Sequence, residues 1–106
     1  MANDNEIPPG LEAVLRSYGP FVNETFTPFH DELYRVAGLD KKTTELVLIA
    51  LLTMERWKTG LQVHAKMATA AGCTPEEIRG AALITLAVRG LPQCSEALGW
   101  LDDALS

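Results

Sequence analysis

TTELVLIALLTMERWKTGLQVHAKMATAAG, residues 43–72, carries the longest apolar run of the chain, an acid just ahead of that run (Glu45) and one of the two histidines (His64). The run itself, residues 46–52, reads LVLIALL. On a helix it is apolar all round, the pattern of a segment buried on most sides, in a core or in a subunit interface. Glu45 and His64 stand 19 positions apart. On one continuous helix that is roughly 28 Å, at about 1.5 Å per residue, too far for direct proton passage. Thr59-Gly60 is a weak point, since Gly costs about 1 kcal/mol relative to Ala inside a helix. A reversal between Met54 and Gly60 makes two antiparallel helices and brings Glu45 to His64. The result is an acid–imidazole pair, a unit of general acid–base chemistry. A nearby carboxylate favours the charged ring and burial disfavours it, so the two titrations are expected to be coupled.

Outward from this stretch the pattern stays helical. Asp40 is an N-cap for the helix that carries Glu45. The helix that carries Leu61, Val63, His64, Met67 and Ala68 ends at Gly72. Thr74-Pro75-Glu76-Glu77 is a capping box with proline in the first helical position. It opens a helix through Ile78, Ala82, Ile84, Leu86 and Val88 to Gly90, and Pro92 begins the next. Towards the N-terminus, Pro8 and Pro9 open a short helix with Leu11, Val14, Leu15 and Tyr18 at helical spacing, and Gly19-Pro20 ends it. A region over residues 21–36 follows, with Phe21, Val22, Phe26, Phe29, Leu33 and Val36 as its apolar positions. Thr27-Pro28 breaks it, with Thr27 as a fresh cap, and Gly38 stops it. Residues 1–7 are expected to be loose. No alternating strand pattern, internal repeat or low-complexity segment occurs. The expectation is an all-α single domain over residues 1–106, of about six helices.

Composition bounds the function. The chain has 106 residues, 47% of them apolar, and a net charge of −5. A domain of this size buries a modest fraction of its surface, which favours association with copies of itself. The acidic balance and the lack of a basic run argue against binding nucleic acid or an anionic membrane. The longest apolar run is far below the ~20 residues that cross a bilayer. No signal peptide opens the chain, and a cytoplasmic protein with reduced thiols is the default. Cys73 and Cys94 lie 21 residues apart and form no metal or redox motif.

Taken singly, the residues of interest keep two readings. Glu45 follows Lys41 by four positions and Lys42 by three, which suits surface ion pairs as well as a site. His64 fits a solvated helical histidine as well as an acid–base residue. Trp57 fits core or interface packing, and Arg56 and Lys58 fit solvated charge. His30 is expected at the surface, and Cys73 as a plain structural thiol.

The spacing Glu45, eleven residues, Trp57, two residues, Gly60, three residues, His64 resembles the carboxymuconolactone decarboxylase and alkylhydroperoxidase D superfamily. Leu39-Asp40-Lys41-Lys42-Thr43-Thr44-Glu45-Leu46, Ala71-Gly72-Cys73-Thr74-Pro75-Glu76-Glu77-Ile78 and the turn Gly90-Leu91-Pro92 are similar to it too. The likeness covers about residues 25–106. It implies an alkylhydroperoxidase D-like helical domain that forms trimers or hexamers. In the alkylhydroperoxidase branch a Cys-x-x-Cys pair stands between the Glu and the His. Here both cysteine positions are changed, to Trp57 and Gly60, which argues against thiol peroxidase chemistry, where a thiolate attacks the peroxide. The cysteine-free arrangement is more similar to the decarboxylase branch, which implies proton transfer on a small carboxylated or lactone substrate without cofactor or metal. The resemblance makes His64 the acid–base residue and Glu45 its orienting or relaying partner. Trp57 and Gly60 then line the pocket, and Arg56 and Lys58, which flank it, are candidates to hold a substrate carboxylate. Two other readings stand beside this one: a non-catalytic oligomeric scaffold of the same fold and, third, the peroxidase.

Overall fold

A computed structural model of the chain describes residues 9–106, with side chains from residue 13 onward. The loose stretch expected at residues 1–7, and the roles expected of Pro8 and the Leu11 side chain, lie outside the described residues. Every described element is helical. In chain order they are α1 (Pro9–Phe21), a π-helical turn (Val22–Phe26), α2 (Thr27–Ala37), α3 (Lys41–Glu55), α4 (Lys58–Ala70), α5 (Pro75–Ile84), α6 (Leu86–Arg89) and α7 (Leu91–Leu105). The fold is all-α. The chain divides into two compact units, one up to Leu39 and one from Asp40 to Ser106.

In the first unit the break expected at Gly19-Pro20 is present as a kink, and the one expected at Thr27-Pro28 is a π-helical turn that leads into α2. α1 is interrupted at Tyr18, off helical values (φ −129, ψ 29) immediately ahead of Gly19-Pro20, and one further helical turn reaches Phe21. Proline lacks the amide donor and crowds the carbonyl four residues back, so the turn ahead of it distorts. Thr27 does not cap a fresh helix, because it is itself helical (φ −63, ψ −46). Its N–H reaches back five residues to the Val22 carbonyl. This widened turn takes up the donor missing at Pro28. Gly38 ends α2 as expected, left-handed at φ 72, its N–H on the Tyr34 carbonyl at 3.2 Å. His30, expected at the surface, is half-buried between Phe26 and Tyr34, with ring centroids 5.6 and 4.4 Å away. Phe21, Phe26, Phe29, Leu33 and Val36 are all exposed.

The second unit has the core. Asp40 Oδ1 accepts from the Thr43 N–H at 2.7 Å and starts α3. The capping box at α5 is complete: Thr74 N–H to Glu77 Oε1 at 2.8 Å, Glu77 N–H to Thr74 Oγ1 at 3.1 Å. α3 packs against α4, α5 and α7, and α7 packs also against α4 and α5. Ile49, Leu61, Ala65, Ala68, Ile78, Ala82, Ala97 and Leu101 close the interior. Each large member contributes about 1.5–3 kcal/mol by leaving water.

One expectation is corrected here. The helix expected from Thr74 to Gly90 is two helices, α5 and α6, so the described residues hold seven α-helices where about six were expected. Buried Thr85 makes the break: its hydroxyl and its N–H both donate to the Ala82 carbonyl, at 2.6 and 3.1 Å. Bonds to a carbonyl three residues back tighten the turn and interrupt the four-back ladder. Within the single chain, the run 46–52 is enclosed on one side. Ile49 alone in it is fully buried, while Val47 is 43% and Leu51 52% exposed. The neighbouring helices cover one stripe of α3, Glu45, Ile49 and Thr53, spaced one turn apart. No helix among the described residues is long and apolar enough to cross a membrane.

Candidate functional site

The site begins with the reversal between α3 and α4. Arg56 adopts the left-handed region (φ 58, ψ 36). Its N–H bonds the Thr53 carbonyl at 3.2 Å, and the Trp57 N–H bonds the Leu52 carbonyl at 3.3 Å. These are the two bonds of a Schellman helix end, with arginine where glycine is usual. Gln93 of α7 braces the same end, its Nε2 donating to the Thr53 and Met54 carbonyls at 2.9 and 2.7 Å. The chain therefore turns at Arg56-Trp57. Thr59-Gly60, the weak point seen in the sequence, lies inside the first turn of α4. Glycine there serves close packing and not the reversal.

This hairpin brings Glu45 and His64 together. His64 Nδ1 lies 2.8 Å from Glu45 Oε2. A carboxylate only accepts hydrogen bonds, so Nδ1 carries the proton and donates, which leaves Nε2 as the free nitrogen. Lys41 Nζ donates to the other oxygen, Oε1, at 2.6 Å. The Glu45 side chain is 0% exposed and that of His64 25%. Glu45 is thus no surface ion-pair residue, although Lys41 does pair with it. Lys42 goes elsewhere, to Glu77 Oε2 at 3.1 Å. Burial pushes the Glu45 carboxyl up, but the bonds from His64 and Lys41 and their charges outweigh it and hold the group below its ordinary value of 4.5. The site thus holds an ionised, dehydrated carboxylate whose two oxygens are both engaged, with a partly exposed imidazole on one of them.

The other residues singled out in the sequence stand nearer the turn. Gly60 is buried one helical turn before His64, on the same face of α4. The Trp57 indole lies flat over it. A Cβ at position 60 would stand 2.7 Å from Trp57 Cδ2 and 2.8 Å from Cζ3. Trp57 itself is 53% exposed. Arg56 is eleven residues beyond Glu45, about 16 Å along the helix axis. Its Nη2 is on Glu96 Oε1 of α7 at 3.0 Å. The structure therefore brings Glu45, His64 and Lys41 into contact, sets Trp57 against Gly60, and engages Arg56 with an acid of α7.

Both thiols are buried and free. Cys73 Sγ lies 3.6 Å from the Lys42 carbonyl, and Cys94 Sγ 3.6 Å from that of Ala82. Burial first, and then the negative charge of Glu77, pushes the Cys73 thiol up, which disfavours the reactive thiolate. Among the described residues no group of three or more His, Cys, Asp or Glu converges as metal ligands would. Two residues of the site escaped sequence reasoning. Lys41 shows in the sequence as a four-residue spacing to Glu45, but nothing local says that its partner is buried. Gln93 carries no local signal, since its acceptors are 39 and 40 positions away.

A helical hairpin whose buried carboxylate bridges a lysine and a partly exposed imidazole places the chain in a class of all-α proteins. The family model for the carboxymuconolactone decarboxylase family matches residues 20–103, and the chain belongs to that family. No curated protein and no solved structure matched the chain.

Proposed function

We propose that the protein acts on a small carboxylated or lactone substrate by proton transfer, as a carbon–carbon lyase of the decarboxylase type. The observation that carries this reading is the 2.8 Å contact between His64 Nδ1 and a fully buried Glu45. In such a step the bond from carbon to the substrate carboxylate breaks and carbon dioxide leaves. The electron pair stays on carbon, spread into the unsaturated lactone, and a proton that His64 Nε2 has first taken up from water closes the valence. Glu45 holds the imidazole in one orientation and stabilises its charged form. Trp57 and Gly60 shape the approach to the ring from the turn end of the hairpin. Arg56, paired with Glu96 and about 16 Å along the helix axis from Glu45, stands away from the reacting carboxylate in this reading.

The test is to mix the chain with a carboxymuconolactone and follow carbon dioxide release. His64→Gln is expected to lose about 10²–10⁴-fold in turnover, the usual worth of a general acid or base. Glu45→Gln is expected to lose less, since it keeps the shape and removes only the charge. Turnover unchanged in both variants would overturn the reading. A homo-oligomer, trimer or hexamer, in the cytoplasm is part of the same proposal. Val47, Leu51, Leu83, Ile84, Val88 and Leu91 are exposed apolar side chains that association would cover. Sedimentation tests it, and a stable monomer at micromolar concentration would refute it. The same exposed surface favours a second reading, a non-catalytic oligomeric scaffold. That reading predicts the oligomer without any turnover. Peroxidase chemistry ranks third, with both thiols buried and Trp57 and Gly60 at the family's cysteine positions.

A further inference from the structure

α3 opens with two lysines, and no acid stands in its first turn. The positive end of the helix dipole disfavours cations there. Each lysine is nevertheless held by an acid, and the two acids differ. Glu77, which holds Lys42, is 38% exposed, so that pair is an ordinary screened surface contact. Glu45, which holds Lys41, is 0% exposed. Its carboxylate has no water to compensate it, and both compensating groups are side chains: Lys41 on Oε1 and His64 on Oε2. The remaining titratable neighbours act from farther away. The Cys73 thiol, from the loop after α4, is buried among the charges of Glu45, Lys42, Asp40 and Glu77.

We propose that Lys41 is a positioning residue of this pair: its ammonium compensates the buried carboxylate in both charge states of the imidazole, so that His64 takes up and releases a proton at Nε2 while its Nδ1–H stays on Glu45. The proposal rests on the acid–base reading of His64 for its use. An uncompensated buried carboxylate is strongly unfavourable. Without Lys41 the charged ring is the one contacting cation left, and the ring is held in that form to higher pH. With Lys41 present, losing the ring proton strands no charge. A residue that cycles between acid and base needs that freedom.

The experiment is a titration of the His64 ring by NMR on the full chain, with His64→Gln used to tell its signals from those of His30. The variants are Lys41→Met, Lys41→Arg and Lys42→Met. The Lys41 side chain is 60% exposed, so its replacement leaves the core intact. Lys41→Gln is a second neutral variant that reads the same effect. Lys41→Met is expected to move the His64 midpoint upward by about half a pH unit or more, roughly a threefold change in proton affinity. Lys41→Arg keeps a cation, and Lys42→Met removes a lysine that pairs with Glu77 and not with Glu45, so both are expected to titrate like the parent. The proposal is overturned if Lys41→Met and Lys41→Gln leave the midpoint in place. It is also overturned if they move it downward, since the carboxyl has then taken the proton, or if Lys42→Met moves it as far. Turnover plays no part in this readout, so failure of the catalytic reading and failure of this one are separate results.

Discussion

Replacing His64 by leucine removes the donor from Glu45 Oε2 and leaves the oxygen's neighbourhood apolar. Glu45 is 0% exposed, so bulk solvent does not reach the carboxylate in the parent. Breaking a buried charged pair from one side costs about 3–5 kcal/mol when the survivor is fully stranded. Here Lys41 still holds Oε1, and the ring being replaced is 25% exposed, which admits some water. Both facts lower the cost, to about 2 kcal/mol, within the range for an unsatisfied buried acceptor. In a Glu45→Leu background there is no carboxylate to strand, and His64→Leu should then cost well under 1 kcal/mol, because removing both partners is often nearly neutral. The assay is urea unfolding at pH 7 of parent, both single variants and the double variant. Protein concentration must be held constant, since association adds to apparent stability. The cycle should return a coupling of about 1–2 kcal/mol. The same cost for His64→Leu in both backgrounds would refute the reasoning. The pH dependence has a definite sign. The Glu45 carboxyl is held below its ordinary value in the folded chain. Its stabilising contribution is therefore present above the unfolded value of about 4.5 and is lost as pH falls through the lower folded value. The stability advantage of the parent over Glu45→Leu should shrink between pH 6 and pH 3.

Gly60→Ala places a methyl against the Trp57 ring and is expected to cost about 1–3 kcal/mol as an overpacked contact. The loss should largely disappear in Trp57→Ala, and indole emission should move towards that of a fully hydrated ring. Arg56→Ala and Arg56→Gly both lose the contact with Glu96, but only glycine relaxes the left-handed backbone. The glycine variant should therefore be the more stable by about 1 kcal/mol in thermal melts. Equal melting points would mean that the turn carries no strain. Cys73→Ser should leave any reduction of an alkyl hydroperoxide in the presence of a dithiol unchanged, because the thiol is buried and held protonated. Fast parent turnover that disappears in that variant would restore the peroxidase reading.

The family, the helical class and most helix ends were legible in the residues alone. Asp40 at α3, the Thr74–Glu77 box at α5, and Gly38 and Gly72 at helix ends act through bonds spanning a few residues, so their outcome is written locally. The hairpin was legible as a possibility, from a 19-residue spacing and a flexible point. Local patterning went astray at particular turns and at burial. Thr27 stays helical where the sequence predicts a fresh cap, since a π-helical turn carries the chain into Pro28. Thr85 breaks a helix whose apolar pattern runs on, because its hydroxyl, once buried, takes the nearest carbonyl. The packing of α4, α5 and α7 on one stripe of α3 turned a glutamate four residues from a lysine into a dehydrated carboxylate shared with His64. The sequence by itself determined which residues carry charge, caps and ring nitrogens, because those are properties of single residues and short spacings. Only the tertiary structure decided that Glu45 has no water, that Arg56 faces Glu96 and that Trp57 covers Gly60, because burial depends on what other helices place around a side chain.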